Sequence, residues 1–249
     1  MKRTQAKSVQ AIWLLMVIGV SLITWASVSA LPVGPTISVT DNSTISSTPY
    51  SLANAGGYLY YGSISATQQN YAWKAYIGNV TGLFTLDDTE GRTIYDWSVN
   101  ASELTGEIYA TRNNSIDWTW INCSNSSVRD NETTFFGMVD SAPDSINSTF
   151  NESTHKPMQV ATSTINESTC RMTSTYVNDT KQTVSVNSVF QELLLMDAHF
   201  SLIYATFIEQ DQFNYQTNST DNVTSDFQLI LPENKTLATP TTYYFYVEI

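Results

Sequence analysis

The sequence predicts an all-β protein, an antiparallel β-sandwich of immunoglobulin-like or jelly-roll-like type with room for one short helix. Two observations carry that expectation. Stretches of five to eight residues rich in β-branched and aromatic side chains recur along the chain with period-two character. Turn residues separate them at short intervals, and no helix-period segment is long enough to build βαβ units.

The first thirty residues read as an export leader. Lys2, Arg3 and Lys7 precede the apolar run AIWLLMVIGVSLITWA, and Val28-Ser29-Ala30 supplies small residues before Leu31. Two alternatives stay open. One is a membrane helix, for which Ser21, Thr24, Ser27 and Ser29 make a poor second half. The other is a pilin-type leader cut near Lys7 that keeps the apolar helix as a filament core. All three place the remainder outside the cytoplasm. Without residues 1–30 the chain carries 8 basic and 23 acidic side chains, a formal −15 against −12 for the whole. That balance argues against nucleic acid and anionic membrane surfaces as partners, because both need clustered Lys and Arg. The acids are scattered, as on a solvated surface.

Residues 31–48, LPVGPTISVTDNSTISST, form a Pro-, Ser- and Thr-rich arm too poor in apolar residues to fold alone. Within it Thr36, Ile37, Ser38, Val39 and Thr40 alternate briefly, as a strand does. Residues 49–249 read as one β domain. GGYLYYGSISA (56–66), WKAYIGNVTGLFTL (73–86) and RTIYDWSV (92–99) are strand-like, and DDTEG (87–91) between the last two is a hairpin turn. Further strands are expected at GEIYAT, TTFFGMV, KPMQVAT, RMTSTYV, LIYATFI, DFQLILP and TTYYFYVEI. FQELLLMDAHF (190–200) fits a short helix or a buried strand equally well. The stretch SAPDSINSTFNESTHKP (141–157) has Pro near both ends and no apolar period, which marks a long exposed loop.

In an exported chain the two cysteines pair in one way only, Cys123 with Cys170, and closing that loop is worth about 3 to 4 kcal/mol. Asn-x-Ser/Thr triplets stand at Asn42, Asn79, Asn100, Asn113, Asn122, Asn125, Asn131, Asn147, Asn151, Asn166, Asn178, Asn218, Asn222 and Asn234. That is fourteen of nineteen asparagines, where a Ser and Thr content near a quarter would give about five by chance. Six of them fall between Asn122 and Asn166, so this interval is expected to be largely surface. Asn122 and Asn125 flank Cys123 three apart, which in an extended segment puts them on opposite faces, one of them inward and bare.

Catalytic machinery is thin. His155 and His199 are the only histidines, in no evident relation to either cysteine, and no Gly-x-Ser-x-Gly, Walker or dinucleotide loop is present. No cofactor and no metal site is expected. Asp87, Asp88, Glu90 and Asp96 offer carboxylates for glycoside hydrolysis or a calcium site, but a turn explains them better, and the 12-residue EF-hand spacing is missing. Trp73, Trp97, Trp118 and Trp120 suit either sugar stacking or a core. Trp118 and Trp120 share one face in DWTWINC by period and are assigned to the core.

The stretches YIGNVTGLFTLDDTEGRTIYDW, GEIYATRNNSIDW, FQELLLMD, DFQLILPEN and TTYYFYVEI resemble a group of secreted archaeal proteins of uncharacterised function. In general character the chain is also similar to subunits of archaeal surface threads and pili. That second resemblance implies a non-enzymatic, extracellular, glycosylated subunit of a homopolymer or surface lattice, linked by donation of the arm around Thr36–Thr40 into a neighbour's sheet. A carbohydrate-binding or adhesive module is the alternative, with glycans as partners.

Overall fold

The computed structural model describes residues 31–44, 53, 56–59, 61–98, 104–213, 215, 224–234 and 239–249. The leader, Asn100, Asn218, Asn222 and the last four residues of the arm lie outside these. In chain order the elements are β1 (Trp73–Gly78), β2 (Leu83–Asp87), β3 (Thr93–Ser98), β4 (Glu107–Thr111), β5 (Ile121–Cys123), α1 (Ser126–Phe135), α2 (Ile146–Thr149), β6 (Met158–Val160), β7 (Ser163–Ile165), β8 (Met172–Ser174), β9 (Gln191–Asp197), β10 (Leu202–Phe207), β11 (Gln212–Phe213), β12 (Thr224–Ser225), β13 (Phe227–Pro232) and β14 (Tyr244–Glu248).

The protein is all-β and antiparallel. A six-stranded sheet runs β14-β4-β10-β9-β5, and β8 also pairs with β9. Around it stand the two-stranded ribbons β1-β13, β2-β3, β6-β7 and β11-β12.

FQELLLMDAHF resolves as strand β9. All seven of its residues are buried, as are all six of β10. A strand covered on both faces loses its alternation, so Leu193–Met196 reads as an unbroken apolar run whose short length is the clue against a helix. The register separates the faces. Leu193 and Leu195 join Tyr109, Ile203, Ala205 and Phe207 on one side, under Met158, Val160 and Ile165 of the β6-β7 ribbon. Leu194 and Met196 join Ala110, Leu202 and Tyr204 on the other, under Leu229 and Leu231 of β13 and under Val128, Ile146 and Phe150 of the helical segment.

Three expectations change. TTFFGMV is not a strand: Asn125 caps α1 by accepting from the Val128 amide, and Val128, Glu132 and Phe136 recur four apart on its buried side. The described part of GGYLYYGSISA contains no strand, and Tyr58, Leu59, Tyr61 and Ile64 are exposed. The stretch 141–157 is anchored, with Ser145, Ile146, Phe150 and His155 fully buried and Ser145 capping α2. Two apolar side chains four apart suffice for that anchor, too few to register as a period.

β5 and β8 are halves of one interrupted strand. Both run antiparallel to β9 along the same edge, β5 opposite residues 195–197 and β8 opposite 191–193. Leu194 spans the joint, its carbonyl accepting from Ser124 N and its amide donating to Arg171 O. Cys123 and Cys170 are disulfide-bonded at this joint, with Cα atoms 4.9 Å apart. The chain between them is an excursion that covers both faces of the sheet, α1 and α2 on one and β6-β7 on the other.

Candidate functional site

The arm meets the body at one rung. Val33 and Val247 of β14 exchange both backbone hydrogen bonds, at 2.9 and 2.8 Å. An antiparallel ladder repeats such a rung every second residue, so the next falls at residue 35 opposite Phe245. Pro35 has no N–H to donate, and the ladder stops there. Thr36, Ile37, Ser38, Val39 and Thr40 follow outside any strand and exposed to solvent. Leu31, Val33, Ile37 and Val39 are at least half exposed, and with Pro35 they occupy alternate positions. The segment is thus a strand-patterned chain with its apolar face uncovered.

The acceptor asparagines lie at the surface. Of the eleven in the described residues, Asn42, Asn79, Asn113, Asn122, Asn125, Asn131, Asn151, Asn166 and Asn178 are exposed, and Asn147 and Asn234 are half-buried. The Asn147 amide is engaged on both sides. Its Oδ1 accepts from Arg129 Nε at 2.8 Å and its Nδ2 donates to Asp140 Oδ1 at 2.8 Å, so it braces α1 against α2. Asn113 Nδ2 donates to Ser201 Oγ at 2.6 Å. Asn122 and Asn125 are both exposed; neither turns inward, because the chain leaves the sheet at Cys123 and Asn125 already belongs to the helix start.

The turn acids are exposed and locally consumed. Asp88 accepts from the Arg92 and Glu90 amides and pairs with the Arg92 guanidinium at 2.7 Å, and the Arg92 amide leads in holding its carboxyl below the usual range. Among the described residues no group of three or more His, Cys, Asp or Glu side chains is arranged to hold a metal ion.

The carboxylates that do gather are ones sequence reasoning missed. Glu107 and Glu248 stand directly opposite in the β4-β14 register. Burial, reinforced by Glu248 and partly offset by Lys156, pushes Glu107 up to about 8. Burial also raises Glu248, although its carboxylate accepts from the Ala161 amide at 3.1 and 3.0 Å and from the Tyr109 hydroxyl at 3.0 Å. Ala161 sits at φ 48°, in the tight turn between β6 and β7, and Glu248 secures that turn. Gly106 lies against the Glu248 carbonyl at φ 144°, where a Cβ would approach to 2.0 Å, so β14 can pass only over a glycine. These groups fasten β14 to the body.

Glu192 is fully buried between the sheet and β13. Its Oε2 accepts from Ile230 N at 2.8 Å, its Oε1 has no hydrogen-bond partner, and burial raises its pKa well above the carboxylate range. A shallow depression of about 100 Å³ lies beside Arg112, Asn113, Asn131 and Glu132. Its Arg112 donates to both Glu132 oxygens at 2.9 and 3.1 Å and stacks 3.6 Å from the Phe135 ring centroid, which occupies the cation within the protein.

His155 does bear on a cysteine. Its buried Nε2 accepts from the Thr169 and Cys170 amides at 3.0 and 2.8 Å, leaving Nδ1 to donate to Lys156 O at 2.7 Å. This requires the neutral ring, and burial lowers the pKa accordingly. Of the tryptophans, Trp73 and Trp118 pack against the core while Trp97 and Trp120 are exposed. Trp118 and Trp120 part company because they sit in a turn, where period two does not apply. No family model, curated protein or solved structure matches the chain.

Proposed function

We propose that the chain is a non-enzymatic, exported, N-glycosylated surface protein that assembles with copies of itself by β-strand addition. The observation that carries this reading is the ladder that stops at Pro35, which leaves the alternating segment Thr36–Thr40 exposed beside the β14 edge. An unpaired strand-patterned arm is what strand addition uses, since backbone hydrogen bonds join the subunits and alternate side chains select the groove. The nine exposed acceptor asparagines support the extracellular part of the reading, and one disulfide suits an oxidising compartment. The fold reads further as a sandwich with β1-β13 as its second layer, supported by Leu229 and Leu231 packing on Leu194 and Tyr204.

Deleting residues 31–48 tests the assembly. Folded monomers where the intact mature chain sediments as polymer support strand addition, and undiminished polymer refutes it. Native mass before and after deglycosylation tests the coat, and an unmodified mass removes it. A carbohydrate-binding module is the second reading, favoured by the exposed Tyr95 and Trp97, whose ring centroids are 5.0 Å apart. Saturable quenching of tryptophan fluorescence by oligosaccharide is its test. The rings meet at 65°, unlike the flat platform a sugar face prefers.

A further inference from the structure

The β2-β3 hairpin is exposed along its whole described length, and its register sorts the side chains by face. Phe84 pairs with Trp97 and Leu86 with Tyr95, so four large apolar side chains lie on one side. They are 42, 50, 54 and 59 % exposed in that order. A two-stranded hairpin is marginal in water, and three strands with an apolar face are the usual minimum for stability. The hairpin therefore has one strand too few and an uncovered face.

We infer that the hairpin is the acceptor for the arm, with Thr36–Thr40 of a second copy adding to an edge of β2 or β3 as a third strand. This rests on the strand-addition reading above and names its receiving site. Complementarity comes first: as an added strand the arm would place Ile37 and Val39 on one side, where they extend the Phe84, Leu86, Tyr95, Trp97 face. Charge comes second. The hairpin carries Asp87, Asp88, Glu90 and Asp96 against Arg92, while Leu31–Thr40 carries no charged side chain. In a chain of formal charge −12 an uncharged segment approaches that acidic hairpin without repulsion.

Direction comes third. Gly82, at the base of the hairpin, lies against Ile249, beyond the C-terminal end of β14. The arm runs antiparallel to β14 from Val247 past Phe245, toward the strand's other end. Donor and acceptor thus leave opposite ends of one strand, which suits head-to-tail contact between copies and an open chain of subunits.

The test uses the full secreted chain with a photo-reactive amino acid at Ser38, assembled from a mixture of heavy-isotope-labelled and unlabelled copies. Mixed-isotope crosslinks to residues 83–87 or 93–98 are expected. A Phe84→Ser/Trp97→Ser variant, altered only at exposed positions, should lose such crosslinks at least ~10-fold, the loss expected when buried aromatic anchors are removed, with its melting temperature unchanged. Mixed-isotope crosslinks to β14 or elsewhere overturn the acceptor and leave strand addition standing. Crosslinks confined to one isotope overturn both. A double variant with undiminished crosslinking overturns the acceptor, as does a hairpin that binds added oligosaccharide and never crosslinks between copies.

Discussion

Replacing both cysteines by alanine removes the splice between β5 and β8, and its cost follows from the topology. The bond joins residues 47 apart in sequence. Releasing a loop of that length returns about 4 kcal/mol of chain entropy to the unfolded state at 25 °C, a factor near 10³ in the folding constant. For a domain of this size the melting temperature should fall by roughly 8 to 16 °C. The native state should survive, since Ser124 and Arg171 still bond to Leu194 across the joint and Ile146 and Phe150 still anchor the excursion. Urea unfolding followed by tryptophan fluorescence reads both quantities. The urea slope should also rise, because an uncrosslinked chain exposes more surface on unfolding. A loss below about 1 kcal/mol with an unchanged slope would refute the entropic account of the staple.

Glu107→Gln should alter how stability depends on pH. The folded carboxyl titrates near 8 against 4.5 for a free one, so the folded state holds the proton more tightly. Its stabilising effect is complete below pH 4.5 and is lost as pH rises to 8, and between those limits the parent should lose roughly 5 kcal/mol that the variant keeps. His155→Phe strands the Thr169 and Cys170 amides, at a cost of roughly 2 to 4 kcal/mol by urea unfolding at pH 7.5. The imidazole has the opposite pH sign: its folded pKa is lowered, so what it contributes is whole above pH 6.5 and declines as pH falls through the folded value. The variant should lack that decline. Pro35→Val restores the missing N–H and lets the arm zip onto its own β14, so the polymer fraction on sedimentation should drop while the monomer melts higher.

Where one side chain's surroundings decide its conformation, the sequence is readable; where the fold decides, it is not. The DDTEG turn is legible because Asp88 and Gly91 supply the capping oxygen and the positive φ locally. β1, β4, β10, β13 and β14 are legible from β-branched and aromatic content, and the cysteine pair from its count. β9 is ambiguous because burial on both faces erases the period. α1 is missed because its first turn, SSVR, is polar and its apolar end, TTFF, has strand composition. The buried carboxylates leave no signal, since Glu107 and Glu248 are 141 residues apart and meet only through the β4-β14 register. Of the candidate site, the arm's alternation is visible in the sequence. Its isolation is not, because the role of Pro35 depends on Val33 finding Val247 first.

Hydrogen exchange at the amides of residues 36–40, in isolated monomer and in assembled material, bears most directly on strand addition. Strand addition requires rapid exchange in the monomer and slowing of at least ~100-fold at alternate amides in the assembly, where backbone bonds to a neighbour form. Rapid exchange in both states, or protection already present in the monomer, would contradict it.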